Sequence, residues 1–397
     1  MSDLLPRGFR FAGIHCGIKQ DAKREDLALV VSDVPASAAG VYTKNLICAA
    51  PVDWDRQRTP GAAIRAVVVN SGNANACTGQ QGAEDNREIA QITADACGTS
   101  VENVLVMSTG IIGEYLPMEC LRTGIPTAAG QLVSDSDSLL AVARGLMTTD
   151  TVHKLACRSV ATPQGEIRIA GVAKGSGMIA PDMATMLGLV MTDAALESEV
   201  AQQLLAEICD RTFNCITVDG HTSTNDTVLF LANGQCQHPV MEIGETGAFA
   251  AALEEVCGDL ARAIAADGEG ATHLVTIDVG GCRSIADARQ IAKTIAQSPL
   301  VKTAITGADP NWGRIVSAAG YSGISFDPKQ LDVSLNGTPI YGQGVPIAFD
   351  ASLLSESMRN HHETKIGLRF GEGQSQTRFW TCDLTADYVR INADYHT

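Results

Sequence analysis

A chain of 397 residues, 45% hydrophobic and 19% charged, has the balance of a globular protein with a sizeable core in one large or two smaller domains, which excludes disorder. A formal charge of −16 with no Lys/Arg run repels phosphate backbones and anionic bilayers, so neither nucleic acid nor a membrane is an expected partner. Twelve cysteines run from Cys16 to Cys382 without a CxxC pair or zinc-type spacing, and there is no secretory pattern or bilayer-length apolar run. The chain reads as a soluble, cytoplasmic protein with reduced thiols.

In chain order, Ala66–Asn70 and Val104–Met107 read as buried strands ending in small polar residues, with a helix over Ala83–Ala96 between them and another over Asp135–Leu146. Glu166–Val172 alternates like a strand and runs into a glycine-rich turn, and Met186–Met191 reads as the next strand. Leu196, Val200, Leu204 and Ile208 recur at helical spacing, as do Phe249, Leu253, Val256, Leu260 and Ile264, which places Cys209 and Cys257 on apolar stripes. Ser284 is positioned to cap a third helix. Further strands are expected at Val228–Leu231, His273–Val279, Gln330–Leu335 and Lys365–Phe370. Strands and helices without a regular βαβ rhythm point to an α/β layered sandwich (α+β) rather than a doubly wound sheet.

Chemistry concentrates between Gly171 and Leu187. Glycines at 171, 175 and 177 permit a tight backbone path, Pro181 fixes one more angle, and Ala184-Thr185 sits between that turn and an apolar strand. One reading is a plain glycine-rich loop entering a strand. A phosphate loop would need its lysine after the glycines, whereas Lys174 stands before them. In a third reading the Thr185 hydroxyl attacks the Ala184 carbonyl, the amide becomes an ester, and hydrolysis frees an N-terminal threonine whose α-amine serves its own hydroxyl as base.

The segment Lys174-Gly-Ser-Gly-Met-Ile-Ala-Pro-Asp-Met-Ala-Thr-Met-Leu187 resembles the self-cleavage site of the ornithine acetyltransferase family, the ArgJ-type enzymes of arginine biosynthesis. Asn70–Gly79, Ser108–Gly113, Thr148–Thr151, Thr217–Gly220, Ser223–Asp226, Asp309–Arg314 and Ile391–Thr397 match further family blocks in family order, so the resemblance spans essentially the whole chain. It implies self-processing between Ala184 and Thr185 and the family's N-terminal-nucleophile type of fold. The α chain, residues 1–184, would carry the oxyanion hole and most of a first layered domain. The β chain, residues 185–397, would carry the nucleophile, a second domain and a C-terminal tail that touches substrate.

By the same resemblance Thr185 is the nucleophile and Thr109 and Gly110 form the oxyanion hole. Thr148, Lys174, Thr185, Glu269, Asn392 and Thr397 bind substrate. Lys174 suits a carboxylate and Glu269 an ammonium group such as ornithine's. From the residues alone, Ser108-Thr-Gly110 also reads as a turn, Lys174 as a surface charge, Glu269 as a turn residue, and the C-terminus as frayed. The family usually has Asn in place of Asp182 and an acidic residue in place of His221. His361-His362 reads as a solvated pair, and Trp312 as a core or domain-contact anchor.

The implied activity is transfer of acetyl from N-acetyl-L-ornithine to L-glutamate through an acetyl-threonine. Acetyl-CoA is a second donor, no metal or prosthetic group is required, and the chains assemble as an α2β2 heterotetramer. Alternatives are a monofunctional enzyme that cannot use acetyl-CoA, an aminopeptidase of related fold, and an uncleaved binding protein for acylated amino acids.

Overall fold

The computed structural model describes residues 4–180, 186–236 and 238–394. In chain order the first layered unit runs β1 (Phe9–Ile14), β2 (Leu27–Tyr42), α1 (Ala50–Arg56), β3 (Gly61–Asn73), α2 (Gly79–Cys97), β4 (Val104–Ile111), α3 (Met118–Ala129), α4 (Ser136–Leu146), β5 (Lys154–Thr162), β6 (Gly165–Lys174), β7 (Leu187–Thr192), α5 (Ser198–Arg211), β8 (Thr227–Ala232) and α6 (Gly247–Ala266). The second continues with β9 (Leu274–Cys282), α7 (Ile285–Ala296), α8 (Pro299–Thr306), α9 (Trp312–Gly320), β10 (Asp332–Leu335), β11 (Thr338–Gly342), β12 (Val345–Pro346), α10 (Ala351–Asn360), β13 (Glu363–Arg369), β14 (Ser375–Cys382) and α11 (Ala386–Asp394).

The first sheet has the order β4-β3-β2-β8-β7-β6-β5. β2 pairs β3 along one side and shares its other side between β1, over Leu27–Ser32, and β8, over Ser37–Tyr42. Its register shifts between Val31 and Ala36, where Pro35 has no N–H to give the ladder. Among the described strands, β3–β4, β7–β8 and β9–β13 are the parallel pairs. The fold is therefore a mixed α/β layered one, with none of the all-parallel winding of a doubly wound sheet.

Alternating side chains send Ala28, Val30, Val67, Val69, Val172 and Leu189 to the face covered by α4. Leu27, Leu29, Val68 and Val106 pack on α2 and α3, while Ile169, Val190 and Phe230 pack on α5 and α6. The second sheet, β12-β11-β10-β13-β9-β14, buries Ile277, Val279 and Phe379 against α7 through Ile291 and Ile295.

Every expected element exists, with shifted ends. Leu196 precedes its helix, β10 starts at Asp332, and α4 begins one residue after Asp135, whose carboxylate caps it by accepting from Ser138 N at 2.8 Å. Ser284 caps α7 as expected, accepting from Asp287 N at 3.1 Å. Two expectations need correction. β4 does not stop at Met107 but stays paired to β3 through Gly110. Gly171 lies inside β6 and not in a turn, where its missing side chain leaves room for Leu260 and Val256 of α6.

Cys209 and Cys257 are buried, and all twelve cysteines are free. Trp312 stacks on Tyr341 at 5.4 Å, and His361 and His362 are exposed. Among the described residues no helix is long and apolar enough to cross a membrane.

Phe230 of β8 is fully buried and meets Phe249 of α6 at 6.5 Å. Phe230→Ala should cost about 3–5 kcal/mol, seen as a lower denaturant midpoint. An unchanged midpoint would mean that this contact does not anchor α6 to the sheet.

Candidate active site

The site begins where β3 and β4 run out together. β4 is an edge strand, so one side of its backbone has no ladder partner. On that side the Val106 N–H donates to Asp55, and because N–H groups alternate along a strand, that of Gly110 turns to the same open edge. Gly110 has φ +137°, and a Cβ there would lie 2.2 Å from the Gly72 carbonyl carbon, so only glycine allows the two strand ends to come this close. Asn225, in the approach to β8, ties the ends in place. Its Nδ2 donates to the Ala74 carbonyl at 2.6 Å and the Ser108 carbonyl at 2.8 Å.

Lys174 ends β6 opposite Leu187 of β7. It is 3% exposed, which rules out the surface-charge reading. Its Nζ donates to the Thr109 hydroxyl at 3.4 Å, leaving most of its donor capacity free among the described residues. Burial pushes the ammonium below the ordinary lysine range, and the Asp150 carboxylate opposes that push.

Asp150 belongs to a buried ion cluster that the sequence did not reveal. Lys154 Nζ donates to Asp150 Oδ1 at 2.7 Å and to Asp267 Oδ2 at 2.6 Å. Asp150 also accepts from the N–H groups of Thr148, at 3.0 Å, and Gly175, at 2.7 Å, while Asp267 holds Thr151 through its N–H and hydroxyl. Burial works against the charge on Asp150, but the Lys174 and Lys154 ammoniums and these hydrogen bonds bring its carboxyl down to about 2.

Glu269 follows two residues after Asp267. Its N–H donates to the Ser176 carbonyl at 2.9 Å, and its Oε2 accepts from Asn392 Nδ2 of α11 at 2.8 Å. A Cβ at Gly177 would stand 2.4 Å from the Glu269 carboxyl, so that glycine makes room for the acid. Met178 and Ile179 then donate their N–H groups to Asp219, at 2.6 and 2.9 Å. His221 is exposed, and its backbone N–H donates to Asp219 at 3.1 Å.

One pocket of about 110 Å³ gathers Thr109, Gly110, Thr148, Lys174, Glu269 and Asn392, all six of the expected site residues that the structure describes. Ala184, Thr185, Asp182 and Thr397 lie outside the described residues, although Met186 and β7 follow Thr185 directly. A larger groove of about 1180 Å³, between α6 and the open face of β9, β13 and β14, contains none of them. Asn225, Asp150, Lys154 and Asp267 were missed. Asn225 and Asp150 lay within quoted blocks, but nothing local distinguished them from their neighbours.

A profile of the ArgJ family matches residues 10–397. The arginine biosynthesis bifunctional protein ArgJ of Rhodopirellula baltica is 46% identical over 399 residues, covering 100% of this chain and 97% of its own length. The protein of that name from Thermosynechococcus vestitus is 47% identical over 411 residues, covering 98% and 97%. The crystal structure of the arginine biosynthesis bifunctional protein ArgJ from Bacillus halodurans is 41% identical with a TM-score of 0.51, a match covering 52% of this chain and 98% of that one.

Because the folded state depresses the Asp150 carboxyl to about 2, its stabilising effect is complete above about pH 4 and is lost as the pH falls towards 2. Asp150→Asn should lose about 3 kcal/mol at neutral pH and show a shallower loss of stability between about pH 4 and pH 2. Acid-unfolding curves that run parallel for the two proteins would refute this assignment.

Proposed function

The chain belongs to the ArgJ family, and on that premise we propose that it cuts itself between Ala184 and Thr185 and uses the freed threonine to move acetyl groups. It is an acetyltransferase of arginine biosynthesis. The proposed cycle is ping-pong: Thr185 takes acetyl from N-acetyl-L-ornithine, ornithine leaves, and L-glutamate accepts the acetyl. The "bifunctional" name of the relatives favours acetyl-CoA as a second donor.

The observation that carries this reading is the convergence of Thr109, Gly110, Lys174, Glu269 and Asn392 in one pocket beside the strand that follows Thr185. When the threonine hydroxyl attacks an acetyl carbonyl, the developing oxyanion needs donors already in place. The open-edge N–H of Gly110 and the Thr109 hydroxyl supply them, and Lys174 orients that hydroxyl. The remaining Lys174 donors suit the substrate's carboxylate, and Glu269 suits the side-chain ammonium of ornithine. The cycle needs a nucleophile, an amine base and oxyanion donors, and calls for no metal or prosthetic group.

The chain lengths also support a cut. A break after Ala184 divides 397 residues nearly in half, and 98% of the solved Bacillus halodurans chain corresponds to 52% of this one. We further propose an α2β2 assembly of residues 1–184 and 185–397, acting in the cytoplasm.

Two measurements test the proposal. Intact mass should give two fragments meeting at Ala184/Thr185 for the wild type and one uncut chain for Thr185→Ala. The cleaved protein should acetylate glutamate from N-acetylornithine, and from acetyl-CoA as sole donor. An uncut wild type sinks the mechanism, and failure with acetyl-CoA alone leaves the monofunctional enzyme. Lys174→Met should lower kcat/KM by roughly 10- to 100-fold, as loss of a charged hydrogen bond of about 1.5–3 kcal/mol, mainly through KM.

A further inference from the structure

Two clamps fix the chain at Gly177 and Met178. On one side Gly177 lies directly against the Glu269 carboxyl, where any side chain would collide with it. On the other, Asp219 accepts the N–H groups of Met178 and Ile179 at 2.6 and 2.9 Å. The Ile179 carbonyl accepts in return from the Val218 N–H at 2.7 Å and the Thr217 hydroxyl at 2.8 Å, which fixes Asp219 beside it. Between the clamps Met178 takes φ +56°, in the left-handed region that glycine and asparagine adopt readily and a long side chain does not. Such strain persists only where the surroundings enforce it, and it gathers at ligand sites.

Core packing does not account for a methionine at this position. Ile179, the next residue, is fully buried in the core that α5 and α6 share with the first sheet. Met178 is only half-buried and belongs to none of the hydrophobic clusters of the described residues. It lines the small pocket instead, together with Lys174, Glu269 and Asn392. The pocket's other apolar residues, Ala74 and Ile112, follow β3 and β4 on the side of Thr109 and Gly110. Met178 therefore supplies the apolar surface beside the acid. A thioether chain is unbranched, flexible and polarisable, and it fits well against methylene groups.

We propose that Met178 is a specificity-determining residue, the wall against which the methylene chain of a diamino acid lies as its terminal ammonium reaches Glu269. This rests on the amino-acid reading of the pocket given above. By filling the space beside the acid, the thioether sets how many methylenes separate a carboxylate held at Lys174 from an ammonium held at Glu269. Ornithine, with three, spans the two ends. Lysine, with four, must displace Met178.

The test is calorimetric titration of the purified protein with L-ornithine and with L-lysine. The wild type should bind ornithine about tenfold or more tightly than lysine, the effect of one methylene in an apolar pocket. Met178→Ala should bind ornithine about tenfold more weakly and bring the ornithine-to-lysine ratio close to one. Met178→Leu, of similar volume, should keep the wild-type ratio. A fold merely loosened by Met178→Ala would weaken both ligands alike and leave the ratio unchanged. That result overturns the proposal, as does a wild type that binds the two ligands equally. If Met178→Ala is not cut as the wild type is, the same comparison is made within Thr185→Ala, where every chain stays whole. A wild type that binds neither amino acid defeats the substrate reading itself, which is a distinguishable result.

Discussion

The Lys154 ammonium, shared by two buried carboxylates, ties three separate stretches of chain into one site. Asp150 brings the 148–154 stretch and the Gly175 N–H. Asp267 brings the stretch that ends in Glu269, and the Ser176 hydroxyl closes the loop on the Asp267 carbonyl at 2.6 Å. Burying three charges is costly unless each is paired and hydrogen-bonded, and here each is. The arrangement carries one net negative charge before Lys174 is counted. A fourth buried charge beside it, Lys174, is therefore compensated and not isolated. Without the cluster, burial would press the enclosed lysine further towards its neutral form, a push that the Asp150 carboxylate opposes.

A cut between β6 and β7 would not loosen this fold. β7 lies between β6 and β8, β8 lies against β2, and the β6–β7 and β2–β8 ladders each join residues from opposite sides of position 184. The proposed chains are thus not two domains. The boundary between the two layered units falls near α6 and β9, while the proposed cut lies inside the first sheet. A new terminus can form there because the backbone around it is held by Asp219 on one side and Asp226 on the other.

Sequence reasoning succeeded where the determining physics is local. Periodicity located α5 and α6, Ser284 was read as the residue that caps the start of α7, and the glycines at 175 and 177 marked a tight backbone path. It failed where a local signal was contradictory. Pro35 interrupts β2, the longest described strand, and Pro126 lies inside α3, so neither element reads cleanly. It was silent where contacts are distant. Lys154 meets Asp267 across 113 residues and Asn225 meets Ser108 across 117, separations that no spacing rule reaches. Five of the six described site residues lie in family blocks and Glu269 came from the resemblance outside them, while the groups that hold them in place were not found.

Hydrogen bonding, and not size, is what sets the two cavities apart. The large groove has about ten times the volume of the small pocket, but its charges largely satisfy one another. Arg378 grips Asp278 with two bonds of 2.7 and 3.1 Å, and Arg211 meets Glu254 at 3.0 Å, all in partly exposed positions where such pairs contribute little. Among the described residues, a buried ammonium in the small pocket makes a single long hydrogen bond, an edge strand turns an N–H outward, and a carboxylate is held by one amide. Unspent hydrogen-bonding capacity, fixed in position by groups that are themselves satisfied, is what a bound amino acid can exploit. A paired, solvated groove offers nothing comparable.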